Sequence, residues 1–266
     1  MGWKEAGDAW GAGATDWAFY QEPLCANSYD AVYQALEVAS GVRLLDVACG
    51  SGLALQRARA RGAQVAGVDA SADLLRIAAE RCPDAVLHEG DMAHLPFDDV
   101  SFDVVTSFNG FMYGTGAALA EAARVLRPGG QLGMVFWQDR GDYLRHFEAL
   151  GGLLPPEDDT AAVPVRLSDP GVVEDMLTTA GLGPYQRDVR QCVGLYPDRD
   201  TAYRGMAAAG PARAAIEHSG EAAFRPALLR AIDPYTDPVT GRVRMTATFS
   251  HVLARKPGHA PGISSA

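Results

Sequence analysis

The chain has 266 residues, 48% of them hydrophobic and 21% charged, which excludes a disordered chain and supplies ample material for a core. Its net charge is -10, from 33 acidic and 23 basic residues, which argues against a nucleic-acid partner or an anionic membrane surface. The four cysteines, Cys25, Cys49, Cys82 and Cys192, are scattered without a Cys-x-x-Cys pair, as expected of reduced thiols in a cytoplasmic protein. No basic-then-apolar leader is evident, and no apolar run reaches the roughly 18 residues of a membrane span. The expectation is a soluble, cytoplasmic protein.

Residues 1–16 are rich in Gly and Ala and read as a loose arm or a lid. Residues 17–40 place Trp17, Phe19, Tyr20, Leu24, Tyr29, Val32, Tyr33, Leu36 and Val38 mostly at helical spacing, and read as one or two helices. A regular alternation then begins. Strands are predicted over 42–48, 64–69, 85–91, 102–108 and 131–137, with helices over 53–61, 72–81 and 117–126 between them. Ser71 can cap the second of these helices. A helix over 143–153, a loop over 154–164 and a helix ending at Ala180 follow. Two further strands are predicted over 185–196 and 242–255. Between them, 199–232 reads as helical, broken near Gly210-Pro211 and Pro226. Residues 257–266 read as a frayed tail.

Strands alternating with helices at this spacing predict an α/β fold, a doubly wound, mostly parallel sheet with right-handed crossovers. Residues 1–256 read as a single domain carrying a helical cap around 199–238.

The strongest chemical signal is Asp46-Val47-Ala48-Cys49-Gly50-Ser51-Gly52 at the end of the first strand. Glycines let the backbone turn sharply and approach a ligand, and the following helix offers free amides. A dinucleotide fits poorly, because Leu55 stands where its third glycine belongs. Asp46 would also repel a pyrophosphate, whereas it would attract the ammonium and sulfonium of S-adenosylmethionine. Asp69 ends the second strand, placed to accept hydrogen bonds from ribose hydroxyls. Asp91, with Met92, ends the third and could accept an adenine amino group while Met92 packs on the ring. Three acids at the carboxyl ends of three consecutive strands form a specific set.

These motifs resemble the class I S-adenosylmethionine-dependent methyltransferases. The chain is most similar to the small-molecule group that includes ubiquinone/menaquinone-biosynthesis and natural-product enzymes. The matching stretches are Leu44–Gly52 (Ala48 replaces the commoner glycine), Gly67–Ser71, Gly90–Ala93 followed by Leu95–Phe97, Phe102–Val105 and Arg124–Gly130. The resemblance implies a seven-stranded sheet of order 3-2-1-4-5-7-6. It implies S-adenosylmethionine as cofactor and a small-molecule acceptor, in bacterial secondary-metabolite biosynthesis, with no nucleic acid or membrane partner. Asp46, Ala48 and Gly50 would line the methionine portion, Asp69 and Ala70 the ribose, and Asp91 and Met92 the adenine. Asn109 would lie near the sulfonium, with Tyr20 or Trp17 closing over the cofactor. Asn109-Gly110-Phe111-Met112 departs from the signature of amino-methylating nucleic-acid enzymes.

Methyl transfer needs alignment and exclusion of water, and a general base for an unactivated nucleophile. His146 and His218 are the candidate bases, with base-free catalysis as the alternative. Tyr113, Trp137, Tyr143, Tyr196 and Arg204 are expected to line an acceptor pocket. No metal site is expected. A monomer or homodimer is expected. The competing reading is a protein of this family that binds S-adenosylmethionine yet catalyses a cyclisation or decarboxylation.

Overall fold

The computed structural model describes residues 2–114, 116–139, 141–143, 146, 148, 151–154 and 166–258. Strand β1 (Arg43–Val47) is exposed at Arg43 and buried from Leu44 onward, an apolar run interrupted only by Asp46. Helix α3 (Leu53–Ala60) and strand β2 (Gln64–Asp69) follow. Helix α4 (Ala72–Arg81) is capped by Ser71, whose Oγ accepts from the Leu74 amide at 3.3 Å. Strands β3 (Val86–Glu89) and β4 (Phe102–Phe108), helix α5 (Gly116–Val125) and strand β5 (Leu126–Asp139) complete the alternation. Helix α6 (Val172–Thr179) leads to β6 (Tyr185–Tyr196). Helices α7 (Arg199–Ala207), α8 (Gly210–Ser219) and α9 (Glu221–Ile232) precede β7 (Val243–Arg255).

The seven strands form one sheet of order β3-β2-β1-β4-β5-β7-β6. The first five are parallel, and β7 runs antiparallel to both β5 and β6. Chain order reverses between β1 and β4, which opens a crevice at their carboxyl ends. One apolar cluster joins Tyr33, Leu44 and Leu55 to Tyr203, Phe224, Leu228 and Ile232, so α7 and α9 share a core with the sheet. A second cluster, with Leu45, Val105, Leu119 and Phe136, fills the other side.

Several elements depart from the sequence reading. Residues 2–16 are largely helical and not a loose arm: helix α1 spans Trp3–Gly11, and a run of helical turns over 14–25 leads into α2 (Ala26–Ala35). Strand β3 is shorter than expected and leaves Gly90 and Asp91 free to turn toward the crevice. Helix α9 continues through Pro226 instead of breaking there, while α8 begins at Gly210-Pro211 with proline in the first turn, where its missing N–H costs nothing. Residues 144, 145, 147, 149 and 150 of the helix expected over 143–153, all of the loop expected over 154–164 except Leu154, and most of the tail lie outside the described residues.

Helix α1 is seated by its glycines. A Cβ on Gly7 would fall 2.0 Å from the Ala70 carbonyl oxygen, and one on Gly11 would fall 2.9 Å from Ser71 Oγ. Farther along, a Cβ on Gly210 would fall 2.7 Å from the Trp10 indole nitrogen. The substitution Gly7→Ala must therefore lift α1 off the β2–α4 turn, at a cost of about 1–3 kcal/mol. Hydrogen exchange should quicken over residues 3–11 while β1 and β4 keep their protection. Unchanged exchange in α1 would contradict this packing.

Candidate active site

The turn after β1 is built on left-handed backbone. Ala48 has φ +58°, Gly50 +54° and Gly52 +77°. Only Ala48 bears a side chain there, at a cost of about 1–2 kcal/mol that the surrounding contacts must offset. The turn is tied to β2 twice. The Cys49 amide donates to the Val68 carbonyl at 3.1 Å, and the Gly50 amide donates to Asp69 Oδ2 at 2.7 Å. Asp69 Oδ1 accepts from the Ser71 amide at 2.9 Å, so one carboxylate orders two turns.

Three buried acids converge on this turn. Asp46 is 1% exposed and accepts from Thr106 Oγ1 at 2.7 Å. Burial pushes its carboxyl up to about 8; the Thr106 hydrogen bond opposes the shift, and the charges of Glu22 and Asp69 add to it. Burial likewise raises Asp69, against its backbone hydrogen bonds to Ser71, Gly50 and Ala70. The third acid, Glu22, comes from the turns that follow α1. Its Oε2 accepts from Arg81 Nη1 at 2.6 Å and from the Ser51 hydroxyl, and the Leu53 amide at the start of α3 also donates to the carboxylate. Burial raises Glu22, while the Arg81 guanidinium is the chief opposing influence. Arg81 thus answers one of three acids, and the site is short of positive charge. A cationic ligand suits it and a pyrophosphate does not.

A cavity of about 380 Å³ opens onto the turn. Its walls include Asp46, Ala48, Gly50, Asp69, Ala70, Asp91, Met92 and Asn109, and also Trp17, Tyr113 and Trp137. Asp91 sits nearer the rim, its Oδ1 accepting from the Ala93 amide at 2.9 Å and its Oδ2 lying 3.5 Å from His94 Nδ1. A second arc of wall is aromatic or apolar: Leu24, Cys25, Tyr29 and Phe108, with Trp3 and Trp10 from α1. Trp10 packs edge-on against Trp17 at 4.7 Å and against Tyr113 at 6.1 Å.

Residues 45–134 match the family model described as a methyltransferase domain. Over that stretch the chain is similar to methyltransferase domains. Two curated relatives accompany that match. An uncharacterized methyltransferase of Mycobacterium bovis is 34% identical over 133 residues, covering 50% of this chain and 54% of that protein. A demethylmenaquinone methyltransferase of Thermobifida fusca is 38% identical over 109 residues, covering 38% of this chain and 46% of that protein. The chain spans about half the length of the curated relatives it matches. Among solved structures, the (4+2)-cyclase SpnF aligns with TM-score 0.54 at 22% identity, over 88% of this chain and 82% of that one, which is a likeness of fold.

Six residues expected at the cavity are not among those that line it. Tyr20 faces outward, its ring stacked on the Arg204 guanidinium at 4.7 Å, and Arg204 in turn donates to Asp16 Oδ1 at 2.6 Å. The pair fastens α7 to the turns after α1 and does not line the cavity. Tyr143 and Tyr196 are buried one layer behind the wall, with their hydroxyls 3.1 Å apart. Tyr196 donates to Oε1 of the wall residue Gln21 at 2.8 Å. His218 is exposed at the end of α8, and His146 is buried away from the wall. Among the described residues no imidazole lines the cavity.

The sequence reading missed Trp3, Trp10 and Glu22. Trp3, Trp10 and Trp17 are spaced seven residues apart, which puts them on one helical face, and that spacing could have revealed the first two. Glu22 carries no such signal, because its role depends on Arg81, far away in sequence.

Asp46 gives a pH dependence with a definite sign. Its carboxyl has an ordinary value of 3.8 and a folded value of about 8, so the fold favours the protonated form. Its contribution to stability is intact below about pH 4 and is lost as pH rises toward 8. In the unliganded protein, Asp46→Asn should therefore melt several degrees above wild type at pH 8 and close to it at pH 4. The same variant should bind a cationic ligand about ten- to a hundredfold more weakly, through loss of a charged hydrogen bond. Equal destabilisation at both pH values would overturn the assignment.

Proposed function

We propose that this protein transfers the methyl group of S-adenosylmethionine to a small, largely apolar acceptor. The observation that carries the reading is the set of buried carboxylates around the glycine-rich turn, which lacks the positive charge this cofactor would bring. Asp46 and the Ala48–Gly50 turn would hold the methionine portion, Asp69 and Ala70 the ribose, and Asp91 with Met92 the adenine. The bound cofactor supplies a methyl carbon activated by positive sulfur.

The chain's own contribution is alignment and dryness. Trp3, Trp10 and Trp17 wall the cavity from the N-terminal helices, while Tyr113 and Trp137 wall it from the sheet edge. Holding a nucleophile in line with a scissile bond removes an entropic barrier, and excluding water prevents hydrolysis. With no imidazole at the wall among the described residues, proximity supports the reaction better than a histidine base does. We read residues 1–256 as one domain with α7–α9 as its cap, acting in the cytoplasm as a monomer or homodimer. The Thermobifida fusca relative, named for demethylmenaquinone, supports a quinone-like acceptor, and a secondary metabolite of similar chemistry is the other acceptor we propose.

The likeness to SpnF, together with a cavity wall that holds no imidazole among the described residues, supports a second reading in which the cofactor is held but not consumed, in a cyclisation or decarboxylation. Calorimetric titration tests the first step. S-adenosylmethionine and S-adenosylhomocysteine should each bind with micromolar affinity, and Asp69→Ala should weaken both at least tenfold. Binding of neither to the folded protein would refute the proposal. Release of S-adenosylhomocysteine during turnover supports methyl transfer, and conversion of acceptor without it supports the second reading.

A further inference from the structure

Asn109 follows β4 with φ +62°, a conformation asparagine tolerates better than most side chains. Its amide donates to the Val135 carbonyl at 2.7 Å, and its Nδ2 donates to Cys25 Sγ at 3.7 Å. Its Oδ1 is buried and accepts no hydrogen bond. An orphaned buried oxygen is destabilising, and its natural remedy at a cavity wall is a donor on the ligand.

The place of this oxygen matters. The next residue, Gly110, packs so closely on the glycine-rich turn that a Cβ there would fall 2.5 Å from Ala48 Cβ. On the other side Asn109 touches Cys25, which shares the wall with Leu24, Tyr29, Phe108 and Trp137. Asn109 thus stands where the turn assigned to the cofactor meets an uncharged aromatic compartment. Burial pushes the Cys25 thiol up, so it remains protonated and adds no charge. Among the described residues lining the cavity there is no lysine, arginine or histidine, and the charged ones are all acids. A carboxylate or phosphate on the acceptor would find no counter-charge.

Resting on the reading under Proposed function, we infer that Asn109 Oδ1 receives the hydrogen of the acceptor's nucleophilic atom, and that this atom is the hydroxyl oxygen of an uncharged aromatic compound. A hydroxyl has one hydrogen to give and keeps its lone pairs for the methyl carbon. An amino group would leave a second N–H facing apolar wall. In the step, an oxygen lone pair forms the new O–CH3 bond, the C–S bond breaks with its electron pair on sulfur, and the hydroxyl proton is released to bulk solvent as the product departs. Asn109 holds the hydroxyl and keeps no proton.

The probes are 2-naphthol, 2-methoxynaphthalene and 2-naphthoate, titrated by calorimetry into protein saturated with S-adenosylhomocysteine. Wild type should bind 2-naphthol at least tenfold more tightly than either of the others. Asn109→Gly, which suits the left-handed backbone, should lose that preference, and Asn109→Asp, which retains an acceptor oxygen, should keep it. Saturating each protein separately removes any change in cofactor affinity from the comparison, and melting curves confirm that each variant is folded. No preference in wild type, a preference surviving in Asn109→Gly, or tightest binding of 2-naphthoate would each overturn the inference. If S-adenosylhomocysteine does not bind at all, the proposed function fails, and the same three probes without it still read the role of Asn109.

Discussion

Burying Glu22, Asp46 and Asp69 around one turn of backbone is the constraint on which the rest of the structure depends. Each carboxylate would gain by staying in water, and each is held inside by something specific. Thr106 meets Asp46 from the neighbouring strand, the Gly50 and Ser71 amides meet Asp69, and Arg81 with Ser51 meets Glu22. These bonds draw β1, β2, β4, the N-terminus of α3 and the end of α4 to a single point. The acids repel one another, so the assembly is held in a state that a cationic ligand relieves. Stability and ligand preference are therefore set by the same atoms.

The sheet supplies the place for this arrangement. Reversal of chain order between β1 and β4 leaves a crevice that no crossover helix covers, and the N-terminal helices roof it. Close backbone approach at Gly7, Gly11 and Gly210 lets α1 lie low enough for its tryptophans to reach inward. The pair Tyr20–Arg204 and the chain Tyr143–Tyr196–Gln21 brace this roof from outside and from behind.

Much of the fold was legible because buried parallel strands announce themselves as short, mostly apolar runs such as Leu44–Val47 and Leu132–Phe136. Asp46, Asp69 and Asp91 were legible for a related reason: a strand end is a fixed position, and an acid there has only one edge of the sheet to face. Helix α1 was not legible. Its glycines weaken helical propensity, and they are there for contacts with Ala70 and Ser71 that do not exist until the chain is folded. Glu22 was hidden because its burial is a property of its distant partner Arg81. Tyr20, Tyr143, Tyr196 and Arg204 were misplaced because composition cannot separate an aromatic that lines a cavity from one that buttresses the lining.

The four tryptophans of the chain are Trp3, Trp10, Trp17 and Trp137, and all of them line the same cavity. Indole emission responds to polarity and to nearby acceptors, and this protein has no indole elsewhere to dilute the response. Its ultraviolet fluorescence is thus almost wholly a signal from inside the site. Occupancy can be followed optically in the unmodified chain, in real time and without a label, even before any acceptor has been identified.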